Sequence, residues 1–253
     1  MAMIDESTAW EILHRYVQDC LQIDSGTLLA VYAIGSLPAG YYRPGQSDID
    51  AILIVENGSE HIWGNSEELS KPLEELNRKY LEMYKIPKDF GPFPLQEREL
   101  FPPYNPERVL LTLEIARLKL QGKCIHGSFD LDMVPMPTAE DFLRDAQHFE
   151  EWWRDKFSKS TYFENMSPTA CVNTILMHLS RFLQVKRGII EFDKRKIVQV
   201  YLENDPPFVD GEVFRLVEAF LELCGLSEAE SQRLRQYART LRVKMNAYLG
   251  ISV

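Results

Sequence analysis

Two kinds of hydrophobic pattern share the chain. Up to about residue 135, short apolar runs bounded by turn residues alternate with amphipathic stretches. Beyond it, apolar residues recur almost everywhere at helical spacing. Residues 7–22 carry Trp10, Ile12, Leu13, Tyr16, Val17 and Leu21 on a helical period, which predicts a helix. The runs 28–34 (LLAVYAI) and 49–55 (IDAILIV) are short and apolar, which predicts buried strands. A helix is expected from Ser70, with Pro72 in its first turn, to about Lys85. Residues 86–104 are broken by prolines, and a strand is expected at 94–100. Asn105-Pro106 predicts the start of a helix that Gly122 ends. Lys123–His126 reads as a short strand or loop.

The second half predicts a helical bundle. Thr138 caps a helix over 139–157. Ser167-Pro168 opens one over 168–187, which Gly188 ends, and a short helix follows Asp193. Pro206-Pro207 breaks the chain. Helices over 211–224 and 228–248 follow, the second with Ser227 and Glu230 in capping-box register. Short connections imply antiparallel neighbours. The domain division expected is 1–137 and 138–253.

Composition narrows the function classes. No stretch of the 253 residues is long and apolar enough to cross a bilayer, and MAMIDESTAW lacks the order of a signal peptide. Cys20, Cys124, Cys171 and Cys224 are scattered, without a Cys-x-x-Cys pair. That favours reduced thiols and a cytoplasmic location. The net charge of −10 argues against nucleic-acid and membrane partners and favours a cationic small molecule. His14, His126, His148 and His178 lack metal-ligand spacing and read as structural or surface residues. No Walker loop, dinucleotide glycine pattern or Ser-His-Asp order is present.

The densest chemistry lies in GSLPAGYYRPGQSDIDAILIV, Gly35 to Val55. Asp48 and Asp50 fall at i and i+2 at the mouth of a strand. Alternation puts both carboxylates on one face and turns Ile49 into the core. Two such carboxylates repel unless a cation sits between them. Mg²⁺ takes hard oxygen ligands and accompanies phosphates, so the segment suggests a site for a metal–nucleotide complex. Gly35 allows backbone amides to approach a phosphate and Ser36 adds a hydroxyl. Ser47 either donates to phosphate or caps its own turn, and Arg43 either meets a phosphate or is solvated.

The Gly-Ser pair, followed ten residues later by Ser-Asp-Ile-Asp, resembles the nucleotidyltransferase superfamily. In particular it resembles the aminoglycoside adenylyltransferases of the streptomycin/spectinomycin type. The resemblance implies an α+β protein: an N-terminal nucleotidyltransferase domain with a small mixed sheet, then a C-terminal helical bundle, with substrate between them. It implies ATP as co-substrate and Mg²⁺, with two ions expected on Asp48 and Asp50. A third carboxylate on a following strand would bind metal or act as base. The candidates are Glu97 and Glu99, with Leu95 on their face, and Asp89 behind them. Glu97 is preferred because it is nearer the middle of the segment. Leu179–Lys194 resembles the family's helix–turn segment, which makes Arg181 and Lys194 the cations for the triphosphate. The pattern departs at Cys171, where the streptomycin-type enzymes carry an acid that binds drug amines. Glu150, Glu151, Asp155 and Glu164 are alternatives, and Trp152 or Trp153 could stack on a ring. The activity implied is transfer of AMP from ATP to a hydroxyl of a small molecule. Protein adenylylation and a non-catalytic nucleotide-binding scaffold are the rival readings.

Overall fold

The computed structural model describes residues 4–45, 47–64, 69–86, 90–105, 108, 110–157, 160–222 and 225–252. The chain divides into two compact units, Met1–Met136 and Pro137–Val253.

The first unit is built on a four-stranded mixed sheet. Asp5 caps α1 (Glu6–Ile23) by accepting the Thr8 amide at 2.8 Å. Strand β1 (Leu28–Ile34) pairs antiparallel with β2 (Asp50–Val55), with Ile34 opposite Asp50. A single turn, α2 (Glu60–Trp63), precedes α3 (Lys71–Tyr84), which Ser70 caps and Pro72 opens. Then come β3 (Phe93–Gln96), α4 (Leu111–Gln121) and β4 (Lys123–Gly127). The sheet order is β3-β2-β1-β4, with β3 parallel to β2 and β4 antiparallel to β1.

The unbroken apolar runs of β1 and β2 follow from burial on both faces. Val31, Ala33, Ala51 and Leu53 join the core of α1 and α3. Tyr32, Ile34, Ile52 and Ile54 join that of α4, with Leu111, Ile115 and Leu118.

Two boundaries of the first unit differ from expectation. The strand expected at 94–100 ends at Gln96, and Glu97–Leu100 forms a 3-10 turn. The Glu99 carboxylate accepts the Gln96 amide at 2.7 Å, which curls the chain out of the sheet. The helix expected from Asn105-Pro106 starts at Leu111. Arg108, almost fully buried, is paired with Glu99, and Leu110 stands at φ +67°. A left-handed residue cannot be carried as helix, so α4 does not extend backwards through it. Pro106 itself lies outside the described residues.

The second unit is all helical: α5 (Ala139–Phe157), α6 (Ser160–Glu164), α7 (Pro168–Phe182), α8 (Lys194–Leu202), α9 (Gly211–Leu221) and α10 (Glu228–Leu249). Side chains of Ser167, Asp193, Asp210 and Ser227 cap α7 to α10. The Ser227–Glu230 capping box forms as expected. The expected helix over 168–187 changes at Leu183 to a π-turn, which ends at Gly188 in the left-handed region. Leu179, Phe182, Tyr201, Val213, Leu234 and Met245 form the core. The α+β architecture, a small mixed sheet followed by a helical bundle, is the one expected.

Candidate active site

The site is the end of the first hairpin. Strand β1 delivers Gly35-Ser36, and β2 begins at Asp50 directly opposite. Gly35 has φ +77°, a conformation that costs L side chains free energy. There is a second reason for glycine there. A Cβ on Gly35 would stand 3.1 Å from Oδ2 of Asp50. A Cβ on Gly91, which precedes β3, would stand 3.4 Å from Oδ1 of the same residue. The Asp50 carboxylate therefore occupies a slot between two glycines. The Gly91 amide donates to the Ile49 carbonyl at 3.2 Å, and Phe90 bridges Ile49 in parallel register.

Ile49 is fully buried, and Asp48 and Asp50 flank it, each half-buried. Oδ1 of Asp48 is buried without a hydrogen-bond partner. A desolvated anionic oxygen left unpaired is costly, and a cation would remove that cost. The charge of Asp48 also reaches the Tyr42 phenol. Burial first and that carboxylate second push its pKa up. Tyr42 Oη donates to the Ile4 carbonyl at 3.5 Å.

The loop between the strands folds on itself. The carbonyls of Gly35 and Ser36 accept the amides of Ala39 and Tyr41, at 3.3 and 3.1 Å, and Leu37 anchors the turn in the core. Ser47 closes a turn with Arg43: its Oγ accepts the Arg43 amide at 2.9 Å and its own amide donates back at 3.0 Å. The turn cap expected of Ser47 is formed, and it uses the oxygen of the hydroxyl as acceptor, leaving the O–H as a donor.

Glu97 does not join this site. Strand β3 runs parallel to β2, and the register sets Gln96 beside Val55, at the far end of β2 from Asp50. Five strand residues span about 17 Å. Glu97 follows Gln96 and therefore starts a β2 length away from the acid pair. Its neighbours are at the turn after β2, where the Arg98 amide donates to Asn57 Oδ1 at 2.9 Å. Alternation within 94–100 does not reveal that β3 pairs parallel with β2 and ends at Gln96, and that register decides where Glu97 falls. Glu99, its alternative, is engaged by the Gln96 amide and by Arg108. Asp89 lies outside the described residues. Among the described residues, no three His, Cys, Asp or Glu side chains are grouped to hold a metal.

The expected triphosphate cations behave differently from each other. Arg181 is only 5% exposed, and its Nη1 donates to Glu150 Oε1 at 2.7 Å. Arg242 donates to the other Glu150 oxygen at 2.8 Å. Phe149 lies under the Arg181 guanidinium and Phe157 under that of Arg242, at 4.6 and 4.1 Å. Arg181 is thus neutralised within the bundle, contrary to the expectation that it reaches a nucleotide. Burial lowers its pKa against the opposing pull of Glu150. Glu150, offered for substrate amines, is consumed by the same triad. Lys194 is exposed, with Nζ at 3.1 Å from Asn173 Oδ1. Cys171 is fully buried, and burial pushes its thiol up to about 11. Trp153 stacks between Phe149 and Phe157, whereas Trp152 is 69% exposed. The side chain of Asp155 lies outside the described residues.

The first unit is a mixed sheet that presents two acids beside a glycine–serine bend, and a helical bundle follows it in the chain. No family model matches the chain, and no curated protein matches it. Among solved structures it is similar to the crystal structure of spectinomycin adenyltransferase AAD(9) from Enterococcus faecialis with ATP and spectinomycin. That match covers 92% of this chain and 98% of the other, with a TM-score of 0.59 at 17% identity. A toxin–antitoxin structure with AMP-PNP matches 56% of this chain and 89% of its own, with a TM-score of 0.30 at 16% identity, too slight to argue from. The first likeness shows that this chain shares the fold of that structure over 92% of its length.

Proposed function

We propose that this protein is an adenylyltransferase that moves AMP from ATP to a hydroxyl of a small, cationic, aminoglycoside-type acceptor, with release of pyrophosphate. The observation that carries the reading is the Asp50 carboxylate set against Gly35, beside an Asp48 oxygen that is buried and unpaired. The fold, shared with a structure solved with ATP and spectinomycin, supports it.

The donor set fits Mg²⁺. It offers hard carboxylate oxygens in a pair, and Mg²⁺ is commonly held by one or two carboxylates with substrate phosphates completing the shell. When bound, the ion would neutralise the triphosphate and polarise its phosphoryl oxygens. Asp48 and Asp50 would hold it, and Gly35 and Gly91 would keep the carboxylate of Asp50 in place. Ser36, at the bend, would donate to a phosphate oxygen. Lys194, exposed at the start of α8, is one candidate for a triphosphate cation, and Arg43 in the loop before Asp48 is another.

In the reaction the acceptor oxygen forms a bond to the α-phosphorus as the bond to the bridging oxygen breaks. Pyrophosphate leaves, and the hydroxyl proton passes to a general base. Asp89 is the acid to test in that role. It precedes Phe90 in the chain, and Phe90 bridges the residue between the two aspartates.

The test is incubation with ATP, Mg²⁺ and a panel of aminoglycosides that includes spectinomycin, read by mass spectrometry. An acceptor that gains one AMP in step with pyrophosphate release is expected. Pyrophosphate release with no modified member of the panel would retain nucleotidyl transfer and reject this acceptor class. No turnover of ATP under any condition would reject the activity.

A further inference from the structure

Tyr41 and Tyr42 are neighbours in the loop between β1 and β2, and they tie it to opposite layers of the first unit. Tyr42 joins the core that α1 and α3 form on one face of the sheet. Tyr41 reaches α4, whose core lies on the other face. Its hydroxyl oxygen accepts Nε2 of Gln121 at 3.3 Å. The backbone of the same residue holds the bend, since the Tyr41 amide donates to the Ser36 carbonyl at 3.1 Å. A trans peptide is planar, so that bond orients the whole Ser36–Leu37 peptide unit. A path of two hydrogen bonds thus runs from the end of α4 to the glycine–serine bend.

The helical end of that path is firmly placed. Gln121 is the last residue of α4, and the chain passes through Gly122 directly into β4. The Gly122 amide donates to the Leu118 carbonyl at 2.9 Å, and a Cβ at Gly122 would collide with that carbonyl. Gln121 is also retained at a cost to stability. Its Oε1 is buried without a hydrogen-bond partner among the described residues. A leucine would fill the same place and orphan no oxygen, so packing alone does not account for a side-chain amide there. The nitrogen of that amide is spent on the Tyr41 hydroxyl.

We propose that Gln121 and Tyr41 are positioning residues for the phosphate tail of the nucleotide. Gln121 holds Tyr41, and Tyr41 sets the peptide unit next to the Ser36 hydroxyl. In this assignment neither residue touches the reacting atoms. The inference rests on the reading of the Gly35–Ser36 bend as the phosphate site.

The test measures the Kd of the full chain for the Mn²⁺–ATP complex, without acceptor, in the parent, Tyr41→Phe, Gln121→Leu and the double variant. Each single variant should bind about fivefold more weakly, the order of one neutral hydrogen bond. The double variant should bind no more weakly than either single one, because both changes remove the same contact. All three should melt close to the parent, since one change removes a hydroxyl and the other an unpaired buried oxygen. Without nucleotide, the Tyr41 amide should exchange with solvent faster in each variant than in the parent. Variants that bind as tightly as the parent, losses that multiply in the double variant, or unchanged exchange at Tyr41 would overturn this inference alone. A parent chain that binds no Mn²⁺–ATP would reject the phosphate reading of the bend, and this inference with it.

Discussion

Asp50 is flanked on two sides by residues that have no side chain, and this restricts what each position tolerates. Gly35→Ala would place a methyl against Oδ2 and strain a left-handed backbone, at a cost of about 1–2 kcal/mol from the backbone alone. Its melting midpoint should fall and its activity should fall further. Gly91→Ala has ordinary backbone geometry and meets Oδ1 at 3.4 Å. It should melt near the parent protein while requiring more Mg²⁺ for half-maximal activity. Asp48→Asn removes the charge of a carboxylate whose Oδ1 is buried without a partner. That variant should lose about a hundredfold or more in pyrophosphate release while its melting midpoint holds or rises. These residues were legible in the sequence because Gly-Ser and Asp-x-Asp are local and the strand period is simple. The seat that Gly91 provides was not. It arises only when β3 pairs with β2, forty residues away in the chain.

Elements decide which acids and cations can serve. The parallel register of β3 sends Glu97 to the opposite end of β2, so Glu97→Gln should retain activity within about twofold, as a surface change away from the site. Asp89→Asn should lose most of it. Steady-state rates of the two variants under one assay check both. In the helical unit the pattern of α5, α7 and α10 places Glu150 between Arg181 and Arg242. Removing one member of a buried ion cluster costs about 3–5 kcal/mol, because charge is left unpaired. Arg181→Ala should therefore appear first in thermal melting. Lys194→Ala should melt normally and raise the KM for ATP. Helix positions in this half could be read from caps and period, and Ser167, Asp193 and Ser227 cap as expected. The partner of Arg181 could not, because Glu150 lies 31 residues away and the pairing depends on how α5 packs on α7.

At the scale of the whole molecule, stability and function are expected to respond to different conditions. His178 is fully buried, and neither ring nitrogen has a partner. Burial first, then the charges of Arg181 and Arg242, push its pKa well below the ordinary 6.5. It stays neutral in the folded chain and takes up a proton on unfolding once the pH falls below about 6.5. Its contribution to stability is therefore complete above that pH and lost on acidification, by about 1 kcal/mol at pH 5.5. Melting of the parent and of His178→Leu at pH 7.5 and 5.5 checks this: the variant should show the smaller loss. The architecture as a whole was legible, since a change in hydrophobic period near residue 135 separates sheet from bundle. The three-dimensional neighbours of each candidate residue were not, and they are what reassigned Glu97 and Arg181. The central claim is that Asp48 and Asp50 together hold a divalent ion against ATP. Titration of Mn²⁺ with ATP, followed by electron paramagnetic resonance, tests it most directly. The parent chain should bind the Mn²⁺–ATP complex, and Asp48→Asn and Asp50→Asn should each lose that binding while remaining folded. Folded variants that bind Mn²⁺–ATP as tightly as the parent would contradict it.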